Sequence, residues 1–220
     1  MACSTVATSA TVPSSADPAL QVLELHPVPF RGSRLARGLL RLGGWEVRFQ
    51  GLPADQGVIV VYPHTSNWDF VVGVLAKWSI GLPLNFWGKD SLFRIPLLAP
   101  WLRWLGGIPV DRQSPGGIVG QMAQDLRVAK EEGRFLWLAL APEGTRRHQP
   151  QWRSGFYRVA LEADVPLGLA YIDYRERVVS AEYFVRLSGN ATDDKAAVRR
   201  YLGARQGRHP AQAAPIDWNT

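Results

Sequence analysis

The run Val58-Ile59-Val60-Val61-Tyr62, followed at once by Pro63-His64-Thr65-Ser66-Asn67-Trp68-Asp69, constrains this chain more than any other stretch. Five charge-free, largely β-branched residues fit a strand buried on both faces, and the apolar segment from Phe70 to Trp78 fits a packed helix. The residues between them form the turn. Inside one helix, His64 and Asp69 would lie roughly 140° apart after five steps of about 100°. His64 therefore precedes the helix, Ser66 or Thr65 caps it, and Asp69 falls in its first turn. From there a carboxylate reaches back to one imidazole nitrogen and leaves the other free. An imidazole titrating near ~6.5 is mostly neutral at pH 7 and can take a proton from a hydroxyl. The carboxylate would fix its tautomer and stabilise the imidazolium that forms. A His beside an Asp after a strand is more often a structural pair or a cap, so the rest of the chain must decide.

With 220 residues the chain is long enough for one domain with a substantial core. The net charge of +6 is uneven. Residues 1–30 contain Asp17 and Glu24 but no Lys or Arg, which leaves 25 basic against 17 acidic side chains in the remainder. Such a balance favours anionic partners without choosing among phosphates, acidic proteins, nucleic acid and anionic lipid. The single Cys3 excludes an internal disulfide framework and fits a reducing compartment. No apolar run reaches the length of a transmembrane helix, and Met1 to Ala16 lacks the features of a signal peptide.

Residues 1 to about 20 are small, polar and proline-interrupted, and Leu20 to Pro29 carries two prolines that argue against a long helix; residues 1–29 are expected to form a disordered tail, with order beginning near Phe30. Within 30–44, Arg31, Arg34, Arg37 and Arg41 share one arc of a helical wheel, while Leu35, Ala36, Leu39, Leu40 and Leu42 take the opposite arc. This basic amphipathic pattern fits either a helix docked on the domain's own core or one lying in a membrane interface. The main domain is expected over 45–202. It has strands at 45–50, 58–62, 83–89, 107–112, 135–141, 165–172 and 178–187, and helices at 70–78, 117–132, 154–163 and 193–202. Residues 91–105 are rich in Trp and Leu, are broken by Pro96 and Pro100, and carry only Arg94 and Arg103 as charges. That stretch fits core packing, an acyl-chain groove or a membrane-dipping surface. A fraying tail is expected over 203–220.

This alternation predicts an α/β fold, a single domain with a central, mostly parallel sheet flanked by helices. Ligands of such sheets gather at the carboxyl ends of the strands. His64 and Asp69 follow one predicted strand, Asp111 and Arg112 end another, and Glu143 to Arg147 follow a third, so they can share one edge.

In order, the chain shows His64-x4-Asp69, Gly107-Ile-Pro-Val-Asp-Arg112, Pro142-Glu-Gly-Thr-Arg146 and Val165-Pro166. These blocks resemble the glycerolipid acyltransferase family, whose best-known members acylate 1-acyl-glycerol-3-phosphate. The resemblance covers roughly Trp45 to Tyr171. It implies that His64 deprotonates an acceptor hydroxyl, that Asp69 orients His64, and that the alkoxide attacks an acyl thioester without a covalent acyl-enzyme. It also implies that Arg112 holds a phosphate or anionic headgroup, with Glu143, Gly144, Thr145 and Arg146 completing the pocket. The implied partners are a lyso-lipid acceptor, acyl-CoA or acyl carrier protein as co-substrate, and an anionic membrane surface approached peripherally from the cytoplasmic side. No metal or further cofactor is implied.

Departures from the family pattern bear on the acceptor. Pro63 stands where an Asn often precedes the His, and Pro109 replaces an aromatic or aliphatic residue. Ala141 replaces a Phe, Arg147 a Ser, and Arg153-Ser-Gly155 stands for a Lys-containing version. The acceptor could be lysophosphatidate, another lysophospholipid or a lyso-aminolipid. Other classes fit less well. A thioesterase-like hydrolase would put water in place of the acceptor. A non-catalytic basic module could bind membrane, whereas no nucleic-acid signature is present. His26, His64, His148 and His209 are scattered without the spacing of metal ligands.

Overall fold

Five of the apolar runs become neighbouring parallel strands. A computed structural model of the chain describes residues 21–110 and 117–219. In order, the elements are β1 (Gln21–Val22), α1 (Arg34–Leu42), β2 (Glu46–Arg48), β3 (Gln56–Tyr62), α2 (Trp68–Ile80), β4 (Asn85–Lys89), a 3-10 turn (Asp90–Arg94), α3 (Leu98–Trp104) and β5 (Gly107–Val110). They continue with α4 (Gly117–Glu131), β6 (Leu136–Leu140), α5 (Gly155–Glu162), β7 (Leu167–Asp173), β8 (Val178–Arg186), α6 (Ala191–Leu202) and a second 3-10 turn (Pro210–Gln212).

The sheet order is β1-β8-β7-β3-β6-β4-β5, with β2 also pairing with β8. Strands β3 to β7 are mutually parallel, whereas β8 runs antiparallel to β7. The carboxyl ends of β3, β4, β5, β6 and β7 therefore lie along one edge.

Alternation along the strands feeds two cores. Val58, Val60 and Tyr62, with Leu136, Leu138, Leu167, Leu169 and Tyr171, face the layer built from α4, α5, α6 and the C-terminal segment. Ile59, Trp137 and Ala170 face the opposite layer, where Leu23, Leu25, Val28 and Phe30 pack, and Ile172 meets Leu40, Val72 and Ala76 of α1 and α2. Val58 and Val60 have no exposed surface, and each such side chain contributes about 1.5–3 kcal/mol relative to an exposed one. The result is the α/β domain expected, with helices on both faces of a mostly parallel sheet.

The chain ends differ from expectation. Residues 1–20 of the expected tail lie outside the described residues, but its described part, residues 21–29, carries structure ahead of Phe30. β1 pairs with β8, and His26 bridges to Leu52. The segment 203–220 does not fray over its described part, residues 203–219. Ala214, Ile216 and Trp218 are buried, and Trp218 stacks on Trp152 at 6.0 Å between ring centroids. Its pattern of single apolar residues among Gly, Pro, Ala and Gln has no period, so burial comes from tertiary contact alone. In α1 the buried residues are Ala36 and Leu40, whereas Leu35, Leu39 and Leu42 face outward. Among the described residues no helix is long and apolar enough to cross a membrane.

Candidate active site

β3 ends at Tyr62 and α2 begins at Trp68, so His64 lies on the connecting turn and Asp69 in the first turn of the helix. A carboxylate there is favoured by the helix dipole and by the unpaired N–H groups of the turn. Asp69 Oδ2 accepts from the N–H groups of Thr65 at 2.7 Å and Ser66 at 2.8 Å. The expected cap by Ser66 or Thr65 is corrected: Asn67 occupies the cap position without a side-chain bond, and Ser66 Oγ accepts from Trp68 N–H, at 3.2 Å. The carboxylate instead closes the turn from inside the helix, accepting from two N–H groups that precede it.

His64 Nδ1 lies 3.3 Å from Asp69 Oδ2, and the imidazole is 20 % exposed while the carboxylate is 1 % exposed. Beside a carboxylate, Nδ1 carries the proton and Nε2 keeps a free lone pair. Asp69 Oδ1 is also occupied, by the Tyr174 hydroxyl at 2.8 Å. Burial pushes the Asp69 pKa up, but hydrogen bonds from His64, Ser66 N–H and Tyr174 outweigh it and hold the group below its ordinary value. Tyr174 is itself raised, first by burial and then by its bond to this carboxylate.

Glu143 follows β6 and turns inward. Its Oε2 accepts from His64 N–H at 2.5 Å and its Oε1 from Ala214 N–H at 3.0 Å, with the residue 1 % exposed. Burial raises its pKa to about 7, against the two N–H donors, which favour the carboxylate. Both oxygens are taken up in tying the His64 turn to the C-terminal segment. Gly144 follows with φ of +69°, a left-handed conformation, and a Cβ there would stand 2.7 Å from Arg153 Nε. Glycine lets the loop turn and lets Arg153 lie against it.

Three adjacent strands thus supply the cluster, in the sheet order β7-β3-β6: Tyr174 after β7, His64 after β3 and Glu143 after β6. Thr145 and Arg146 continue the Glu143 loop toward solvent, and Arg147 N–H donates to Thr145 Oγ1 at 3.4 Å. The Gln212 amide, turned so that its nitrogen faces two carbonyls, donates to Thr65 O at 3.0 Å and Arg146 O at 2.7 Å. Arg146 is thereby linked through one side chain to the residue after His64. Asp111 and Arg112 lie outside the described residues; β5, which they follow, ends on the same edge.

Sequence reasoning missed Tyr174 and the C-terminal segment. Besides Ala214 N–H, that segment offers the Ala214 carbonyl to Tyr62 hydroxyl at 3.0 Å, and His209 N–H donates to Thr65 Oγ1 at 3.1 Å. Tyr174 stood just beyond a predicted strand end, the one signal that could have drawn attention to it.

A sequence model of the family described as Acyltransferase matches residues 46–168. A 1-acyl-sn-glycerol-3-phosphate acyltransferase of Streptococcus pneumoniae (strain ATCC BAA-255 / R6) is 29 % identical over 133 residues, which are 56 % of this chain and 48 % of that protein. The match thus spans about half the length of that relative. Among solved structures, the 1-acyl-sn-glycerophosphate (LPA) acyltransferase PlsC from Thermotoga maritima superposes with a TM-score of 0.51 at 17 % identity, covering 79 % of this chain and 78 % of that one. The two share a fold.

Proposed function

The chain belongs to the acyltransferase family, and from that membership we propose that it moves a fatty acyl group from an acyl thioester to a hydroxyl of a lyso-lipid such as 1-acyl-glycerol-3-phosphate. The thioester would be carried by CoA or by acyl carrier protein. The observation that carries this reading is the His64 Nδ1 to Asp69 Oδ2 contact of 3.3 Å, with the rest of the carboxylate saturated by protein donors. A carboxylate so held can do one thing for the imidazole, which is to keep its proton on Nδ1 and balance the charge that forms.

In this mechanism His64 Nε2 removes the proton of the acceptor hydroxyl as its oxygen attacks the thioester carbonyl. The tetrahedral intermediate collapses by breaking the carbon–sulfur bond. The departing thiolate takes the proton back from the imidazolium, so His64 ends neutral. Arg112, Thr145 and Arg146 would hold the anionic part of the acceptor, Arg through forked donors suited to phosphate. Gly144 would let the loop backbone approach it, and Glu143 acts by holding the His64 turn.

We further propose a peripheral position on the cytoplasmic side of an anionic membrane. Supporting it are the outward leucines of α1, with Leu42 87 % exposed, interleaved with Arg34, Arg37 and Arg41. The 92–104 segment adds Leu97 at 90 % exposed together with Ile95, Trp101 and Trp104. Exposed apolar side chains beside cations suit an interface between headgroups and acyl chains.

Supplying acyl-CoA or acyl carrier protein thioester with and without a panel of lyso-lipids, and measuring free thiol, tests the reading. Release that requires a lyso-lipid supports transfer. Release without one indicates a hydrolase, and no release under any condition indicates a binding module.

A further inference from the structure

We propose that Arg208 is an anion-binding residue of the active site, supplied by the C-terminal segment, and that it takes a phosphate group of one of the two substrates. This rests on the acyl-transfer reading above.

The backbone on either side of Arg208 is fixed against the residues on either side of His64. Gly207 is buried on Pro63 and Thr65: a Cβ there would meet Thr65 Oγ1 at 2.6 Å and Pro63 Cβ at 3.1 Å. Contact this close admits only glycine without a shift of the turn. One residue beyond Arg208, His209 N–H donates to Thr65 Oγ1 at 3.1 Å. The side chain between these two anchors rises beside the His64 turn. Its guanidinium carbon lies 5.9 Å from the ring centre of Trp68, in the first turn of α2, and 5.9 Å from that of Tyr174, which holds Asp69.

The chemistry of the group is unspent. Among the described residues Arg208 has no hydrogen-bond or ion-pair partner. The Asp69 carboxylate is saturated by His64, Thr65, Ser66 and Tyr174 and leaves Arg208 to other anions. Aromatic contacts engage the face of a guanidinium and leave its N–H edge free. An exposed cation set against two rings, its donors unused, on a segment anchored to the residues flanking His64, matches what a phosphate needs.

Both substrates can bring one: the acceptor on its headgroup, the donor on its pantetheine arm or nucleotide. Steady-state acylation by the full chain, compared among wild type, Arg208→Gln and Arg208→Lys, separates them. A charge-assisted contact of this kind is lost at roughly tenfold or more in KM. If the acceptor phosphate is the ligand, Arg208→Gln raises KM for a lysophosphatidate and leaves KM for the matching monoacylglycerol unchanged. If the donor phosphate is the ligand, KM rises for acyl-CoA and not for acyl-pantetheine. Arg208→Lys recovers part of the loss in either case. Unchanged KM values for both substrates, or an equal rise with the phosphate-free analogues, overturn the proposal. Should wild type transfer no acyl group to any lyso-lipid, the acyl-transfer reading fails separately. Titration with inorganic phosphate, followed by the Arg208 Nε–H signal in NMR, then decides: a shift that Arg208→Gln binding data show to be site-specific supports the anion site, and equal phosphate affinity in both proteins overturns it.

Discussion

The Tyr174 hydroxyl donates to Asp69 Oδ1 across 105 residues of sequence, at 2.8 Å, and fills the carboxylate position that neither His64 nor the turn N–H groups reach. A hydrogen bond to a buried charged group is worth about 1.5–3 kcal/mol. Tyr174→Phe should therefore lower turnover by about tenfold while leaving the fold and both KM values nearly unchanged. It should also make the protein more sensitive to acid. Asp69, held below its ordinary pKa, contributes stability that is present above the unfolded-state value and is lost as pH falls through the lower folded value. Removing one stabilising donor brings that loss to higher pH, read as an earlier acid-unfolding midpoint. Wild-type turnover in Tyr174→Phe would remove the hydroxyl from the account.

Glu143 carries the opposite sign. Its folded pKa of about 7 lies above the ordinary carboxyl value of 4.5, so between those limits the folded chain binds more protons than the unfolded one. From this group alone, stability falls as pH rises, by up to about 1 kcal/mol per pH unit. Glu143→Gln removes that slope. It also leaves an amide NH2 facing one of two N–H donors, at a cost of about 1–3 kcal/mol, and should loosen both the His64 turn and residue 214. Urea midpoints at pH 5, 6 and 7 check both effects. A variant as stable as wild type with the same pH slope would contradict the tie.

Trp218 is fully buried against Trp152, Phe156 and Tyr157, three residues of the α5 region. Trp218→Ala should cost about 3–5 kcal/mol. Because the same segment holds Ala214 against Glu143, the lost stability should come with lost activity even at temperatures where the variant is folded. Full activity in the folded variant would separate the segment from the site.

The outward leucines of α1 make a surface prediction. Leu35→Ser combined with Leu42→Ser touches side chains that are not buried, so it should leave the unfolding free energy within about 0.5 kcal/mol of wild type. Co-sedimentation with vesicles containing anionic lipid should fall several-fold. Unaltered vesicle binding would rule α1 out as a membrane contact.

Where the sequence was legible, a local period or motif carried the information. The charge-free run 58–62 suited a buried strand, and the five-residue spacing of His64 and Asp69 suited a pair meeting across a strand-to-helix turn. The parallel sheet followed from the alternation of such runs with amphipathic segments. What was not legible was set by tertiary contact. Trp218 is an isolated apolar residue in an aperiodic stretch, and nothing local marks it as the packing partner of Trp152. Tyr174 lies beyond the end of a strand that pairs on one side with β3, far away in sequence, so its reach to Asp69 needs the β7-β3 pairing. Glu143 was read as part of a ligand-facing loop, yet its two oxygens face N–H groups from residues 64 and 214, a closure only the folded chain makes. Ala36 and Leu40 turn inward in α1 while Leu35, Leu39 and Leu42 turn out, because helix α2 takes only the narrow side of an apolar arc that the wheel shows as one face.

The central claim is that the His64 imidazole, oriented by Asp69, takes the proton of a lyso-lipid hydroxyl. Its most direct test is the acceptor-dependent rate of thiol release from an acyl thioester, measured for wild type and for His64→Ala at equal folded concentration. Loss of the general base should reduce that rate by about 10²–10⁴-fold with an unchanged unfolding midpoint. A His64→Ala protein that acylates the lyso-lipid at the wild-type rate would contradict the account.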